Sequence, residues 1–107
     1  ADKNIRLKDA LEYLEKAVAL KPDNGYILDS LGWVYYRLGD YQRAVKELSR
    51  SLELEPDDPH IYDHLGDAYR SLGNTGKALE NYQKALRMFE DDKKKAAVQE
   101  KIDVLDK

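Results

Sequence analysis

The sequence predicts an all-α protein of antiparallel helical hairpins, six helices in a row, and three observations carry that expectation. The 107 residues repeat themselves at a spacing of 34. Apolar residues recur at three- and four-residue steps. The stretches between the periodic segments are two to four residues long, which makes consecutive helices antiparallel neighbours and leaves no room for a sheet.

The repeat is read by setting "LGWVYYRLGDYQRAV" (Leu31 to Val45) over "LGDAYRSLGNTGKAL" (Leu65 to Leu79). Leu31 then falls on Leu65, Gly32 on Gly66, Tyr35 on Tyr69, Leu38 on Leu72, Gly39 on Gly73 and Ala44 on Ala78, each pair 34 apart (66 − 32). Upstream, Ala10, Leu14, Ala17 and Pro22 stand 34 before Ala44, Leu48, Ser51 and Pro56, so half of an earlier copy is present. A period of this length means a repeat architecture, in which each unit buries its apolar face on the next.

The first helix is expected over about 5–20, with Ile5, Leu11, Leu14 and Val18 on its apolar face. Leu28, Leu31, Gly32, Tyr35 and Leu38 mark one face of a second helix over 25–38, and Gly39 stops it. Asp40 is placed as an N-cap for a third over 41–54, whose apolar side is Tyr41, Ala44, Val45, Leu48, Leu52 and Leu54, and Pro56 ends it. Asp58 reads as the next N-cap, and Pro59 as the first helical residue, where its missing N–H costs nothing. The fourth helix, 59–72, carries Leu65, Gly66, Tyr69 and Leu72. The fifth, 75–90, carries Ala78, Leu79, Tyr82, Ala85, Leu86 and Phe89, and the sixth, 93–106, carries Ala97, Val98, Ile102 and Leu105. Gly32 with Ala44, and Gly66 with Ala78, supply the small residues that let the helices of each hairpin approach; anything larger overpacks the contact by about 1–3 kcal/mol.

At this point the residues resemble the tetratricopeptide repeat (TPR) family. "LG..Y...GDY..A...L..SL...P" and "LG..Y...GN...A...Y..AL" are similar to its pattern of a Leu-Gly pair, a Tyr, a mid-repeat Gly, then Ala, an aromatic or Leu, Ala and Pro. The wording is similar to TPR arrays of bacterial proteins. Leu28, Ser51, Thr75 and Glu90 depart from the pattern and are expected to soften local packing. The resemblance implies one TPR domain over 1–107: the second half of a repeat (1–24), two full repeats (25–58 and 59–92) and a capping helix (93–107), with Glu100 where a further repeat would need Gly. It implies a right-handed superhelix whose first helices line a concave groove, and a non-enzymatic role in binding other proteins. It also implies a missing partner for the first helix, whose apolar face is then half covered.

Composition excludes several functions. With no Cys there is no disulfide, no thiolate chemistry and no thiolate zinc site. The net charge of −3, with basic and acidic residues interleaved, lacks the footprint of a nucleic-acid binder. No apolar run approaches a membrane span, and "ADKNIRLKDA" lacks the plan of a signal peptide. The chain reads as soluble, cytoplasmic or periplasmic. No phosphate loop or zincin motif occurs, and His64 with Asp67 is the only acid–base pair, so neither an enzyme nor a cofactor is expected.

At about 100° per residue, Trp33 lies opposite the Leu28–Leu31–Tyr35 face and shares its own with Tyr26, Asp29, Tyr36 and Arg37. In the family's geometry this side points into the groove, where the next repeat adds His60, Asp63, His64, Asp67, Arg70 and Ser71. Trp33 either packs on a neighbouring first helix or anchors a ligand; because its counterpart is Asp67, it is not required by every hairpin. Asp29, Asp63 and Asp67 are either solvated or form a row of carboxylates for a basic peptide side chain. The clamp of Lys and Asn by which family members grip a C-terminal carboxylate is absent: its positions read Asp29, Ser30 and Trp33, then His60, His64 and Asp67. A basic or apolar partner segment therefore suits the chain better than an acidic tail. His60 and His64, four apart, have chelating spacing but no preorganised third ligand, so no metal site is expected. The leading expectation is a protein–protein interaction module; the alternative is a spacer that self-associates, as a homo-oligomer, through helix 5–20.

Overall fold

The computed structural model describes residues 3–106, with side chains from Arg6 onward; Ile5, expected on the first apolar face, has its side chain outside the described residues. Six helices follow in order: α1 (Lys3–Leu20), α2 (Gly25–Arg37), α3 (Tyr41–Leu54), α4 (Pro59–Ser71), α5 (Thr75–Met88) and α6 (Asp92–Leu105). They group into two compact units, residues 1–56 with α1 to α3 and residues 57–107 with α4 to α6. No helix among the described residues is long and apolar enough to cross a membrane.

In the first unit, α2 and α3 form a hairpin whose ends are set by local chemistry. The Asn24 side chain accepts from the N–H groups of Tyr26 and Ile27, at 3.0 and 3.1 Å, and starts α2. Gly39, with φ of 85°, turns the chain in the left-handed region that a Cβ would disfavour. Asp40 then caps α3 by accepting from Arg43 N–H at 3.2 Å. Leu28, Leu31, Ala44 and Leu48 are buried between the helices. Here the structure sharpens the role of Gly32: a Cβ on it would lie 2.6 Å from Leu48 Cγ and 3.3 Å from the Ala44 carbonyl, so Leu48 is what excludes a side chain.

Ser51 does not soften this packing. Fully buried, its hydroxyl donates to the Gly25 carbonyl at 2.6 Å and ties the end of α3 to the first residue of α2. A buried hydroxyl without such a partner would cost about 1–3 kcal/mol. Glu47 is also mostly buried, and its Oε2 receives Arg50 Nη1 at 2.8 Å. α1 packs on α2, yet none of its described side chains is fully buried; Leu11, Leu14 and Val18 are half-buried.

The second unit repeats the hairpin and adds α6. Asp58 accepts from His60 N–H at 2.9 Å, Pro59 opens α4, Gly73 turns with φ of 81°, and Asn74 caps α5 through Lys77 N–H. The ring of Tyr82 occupies the space where a Cβ of Gly66 would be. Ala78, Tyr82, Ala85, Phe89, Val98 and Ile102 form one core, flanked by Tyr62, Tyr69, Leu79, Leu86 and Leu105. α5 ends at Met88, short of the expected 90, because Phe89 is extended (φ −65°, ψ 139°). Asp91 caps α6 by accepting from Lys93 and Lys94 N–H.

Three positions depart from the apolar stripes. Leu54 and Leu72, at the ends of their helices, are exposed, as is Ala97. Conversely, Val34, Ile61 and Ala68 are buried although the stripes omitted them.

Candidate functional site

The faces of α2 and α4 that carry the expected binding residues are built differently. On α2, Trp33 and Tyr36 stack with ring centroids 4.9 Å apart and planes 15° from parallel. They stand three positions apart, the spacing at which helical side chains overlie one another. Tyr36 also meets Tyr41, the first residue of α3, at 5.6 Å and 55°. The result is a ledge of three half-buried rings running from α2 onto α3. Tyr26 and Arg37 are exposed on the same helix and Asp29 is half-buried. Stacked rings hold each other in place, so contact with them costs little side-chain entropy.

On α4 the carboxylates are already engaged within their own unit, neither solvated nor waiting as a row. Lys101 Nζ, from α6, lies 2.9 Å from Asp63 Oδ1 and 3.1 Å from Asp67 Oδ1. Asp67 Oδ1 also accepts the Tyr82 hydroxyl at 2.5 Å. The side chains of Asp63, Asp67 and Lys101 are 20%, 13% and 30% exposed, so the cluster is well shielded from solvent. Burial, with the hydrogen bond to Asp67, holds the Tyr82 phenol far above its usual range. Burial alone would lower the Lys101 ammonium, but the hydrogen bonds and charges of Asp63 and Asp67 outweigh it and its pKa is raised. The ammonium also lies 5.6 Å from the centre of the Tyr82 ring.

His60 presents its ring edge to Phe89 at 5.0 Å, and Lys94 Nζ lies 3.3 Å from its Nε2. His64 is half-buried and Arg70 exposed on the same helix. Among the described residues no three His, Asp or Glu side chains converge as metal ligands would.

Sequence reasoning missed Lys101, although the signal was present. Lys101 stands 34 after Asp67 (101 − 67), as Asp67 stands 34 after Trp33 (67 − 33), so the three hold one repeat position. Carrying the period into α6 sets a Lys beside two Asp.

The tetratricopeptide repeat family matches residues 3–59 and again residues 30–93, and the chain belongs to that family. A TPR repeat-containing protein of Pseudomonas aeruginosa is 42% identical over 50 residues, which is 44% of this chain and 8% of that protein. The chain thus spans less than a tenth of that relative's length. Among solved structures, a thermophilic TPR protein of Thermus thermophilus is 29% identical, with a TM-score of 0.81 over 98% of this chain and 54% of the other. The type III secretion chaperone SycD of Yersinia enterocolitica, in complex with a peptide of the translocator YopD, has a TM-score of 0.89 at 14% identity over 97% of this chain and 82% of that one.

Proposed function

We propose that the chain is a protein-interaction module that binds a segment of a partner protein against the aromatic ledge of α2. The observation that carries the reading is the Trp33–Tyr36–Tyr41 run of rings. Aromatic side chains bury large area with little entropy to lose and dominate the energetics of protein contacts. At the repeat position of Trp33 the second hairpin has Asp67, bonded internally to Tyr82 and Lys101, so the rings are no requirement of hairpin packing. The structurally similar SycD is described with a bound YopD peptide, which supports a peptide as the kind of partner.

Asp29 on the same side of α2, and the net charge of −3, favour a segment with apolar and basic residues. On α4, Asp63 and Asp67 are neutralised by Lys101, so His60, His64 and Arg70 are the expected binding residues that would line a contact there. The test is selection of binding peptides from a displayed library on the intact chain, followed by calorimetric titration against variants. Selected peptides should lose at least tenfold in affinity, about 1.4 kcal/mol or more, on Trp33→Ala and on Tyr36→Ala. Peptides that bind both variants as tightly as wild type would remove the ledge from the site.

A further inference from the structure

The largest exposed apolar side chains of the first unit gather on one face of α1, away from the ledge. Tyr13 is 72% exposed and Leu20 83%, with half-buried Ala10 and Ala17 beside them on the same side of the helix. Next to them is a cavity of about 210 Å³ lined by Tyr13, Ala17, Leu20, Lys21 and Ile27. An apolar seam of this kind with an adjoining notch marks a contact site.

The chain itself shows what such a seam accepts. Ala10, Leu14 and Ala17 hold the repeat positions of Ala44, Leu48 and Ser51 in α3, and of Ala78, Tyr82 and Ala85 in α5. In both later hairpins these residues are fully buried, because an antiparallel helix lies on them. In α2 that helix presents two glycines two turns apart: Gly25 over Ser51, Leu54 and Glu55, and Gly32 over Leu48 and Ala44. In α4 the corresponding contact is Gly66 against Tyr82. On α1 no described helix fills this place.

We propose that the open face of α1 binds an amphipathic helix of another protein, antiparallel to α1, with small residues two turns apart on its apolar side. A second copy of the chain fits poorly. Its helices of this pattern, α2 and α4, are already laid on α3 and α5. Pairing α1 with itself about a twofold between Tyr13 and Leu14 would set Glu12 against Glu15 and Arg6 against Lys21, like charge against like. The partner helix begins near Leu20 and Lys21, places its first small residue over Ala17 and its second over Leu14 and Ala10, and puts a bulky side chain into the notch beside Ile27.

A synthetic N-acetylated peptide of the sequence Asn24 to Leu38 is the probe, titrated into isotopically labelled intact chain and followed by amide shifts. Saturable shifts at Ala10, Tyr13, Ala17, Leu20 and Ile27 are expected. Leu20→Glu and Tyr13→Ser should weaken binding at least tenfold with an unchanged melting temperature, both side chains being exposed. The peptide with Gly32→Leu should bind at least tenfold more weakly. Absent or unsaturable shifts, shifts elsewhere, or equal affinity for the variants would overturn the proposal. So would a dimer in sedimentation that Leu20→Glu dissolves, or protection of Tyr13 and Leu20 by a preceding helix in a longer natural polypeptide.

Discussion

The α2–α3 and α4–α5 hairpins share one backbone plan and differ in how they use it. Both start from an Asn or Asp cap, turn at a glycine of positive φ, and close over a second glycine. In the first, the residue under that glycine is Leu48 and the helix ends are tied by Ser51; in the second, the tyrosine ring of Tyr82 fills the space and its hydroxyl continues into a charge cluster. The repeated position that carries Trp33 in the first hairpin carries Asp67 in the second and Lys101 in α6. Core positions are thus held to type by close approach. The opposite face is free to vary, and in the second unit it has been turned inward to secure α6.

The largest effect separating the hairpins should come from Tyr82→Ala, which removes a fully buried ring and an acceptor's partner together; about 3–5 kcal/mol of unfolding free energy is expected by denaturant titration. Leu48→Ala removes less volume and should cost about 2–4 kcal/mol. If the two were equal, the tyrosine hydroxyl would add nothing.

Next comes the charge cluster. Asp67→Ala leaves Lys101 and Tyr82 short of an acceptor and should cost about 2–3 kcal/mol, discounted for the partial exposure of Lys101. In a double-mutant cycle with Lys101→Met the two losses should be less than additive, with coupling of about 1 kcal/mol or more. Additive losses would mean that α6 is held by its apolar residues Val98 and Ile102 alone.

The same groups set a pH dependence. Tyr82 and Lys101 have pKa values raised from 10.0 and 10.5, so above about pH 10 both bind more protons folded than unfolded. Their contribution is fully present below pH 10 and is lost as pH rises beyond it. Urea midpoints should be flat in these groups from pH 7 to 9 and fall above 10, and Tyr82→Phe should flatten that fall. The smallest effect expected is Ser51→Ala, about 1 kcal/mol, from the lost hydrogen bond to Gly25 in a site an alanine fills.

Much of this is legible in the sequence because it is periodic. Six helices, the Asp40 and Asp58 caps, Pro59 at the first turn and the two turning glycines follow from spacing and local chemistry, and the structure has them all. What escapes is tertiary. Ser51 reads as a weak replacement for Ala because its acceptor, the Gly25 carbonyl, is 26 residues away in sequence. Asp63 and Asp67 read as solvated or available because Lys101 becomes their neighbour only when α6 packs on α5. Phe89 ends α5 early for the same kind of reason: in an extended conformation its ring joins the core with Val98 and Ile102. On α2, the Trp33–Tyr36 stack agrees with the face assigned from helical angle, while its role as a ledge for a partner rests on chemistry that only binding can test.

That test is the affinity of library-selected peptides for the wild-type chain, for Trp33→Ala and for Asp67→Asn, measured side by side by calorimetry. The account predicts a loss of at least tenfold on Trp33→Ala and less than threefold on Asp67→Asn, since Asp67 serves its own unit. A larger loss on Asp67→Asn than on Trp33→Ala would contradict it.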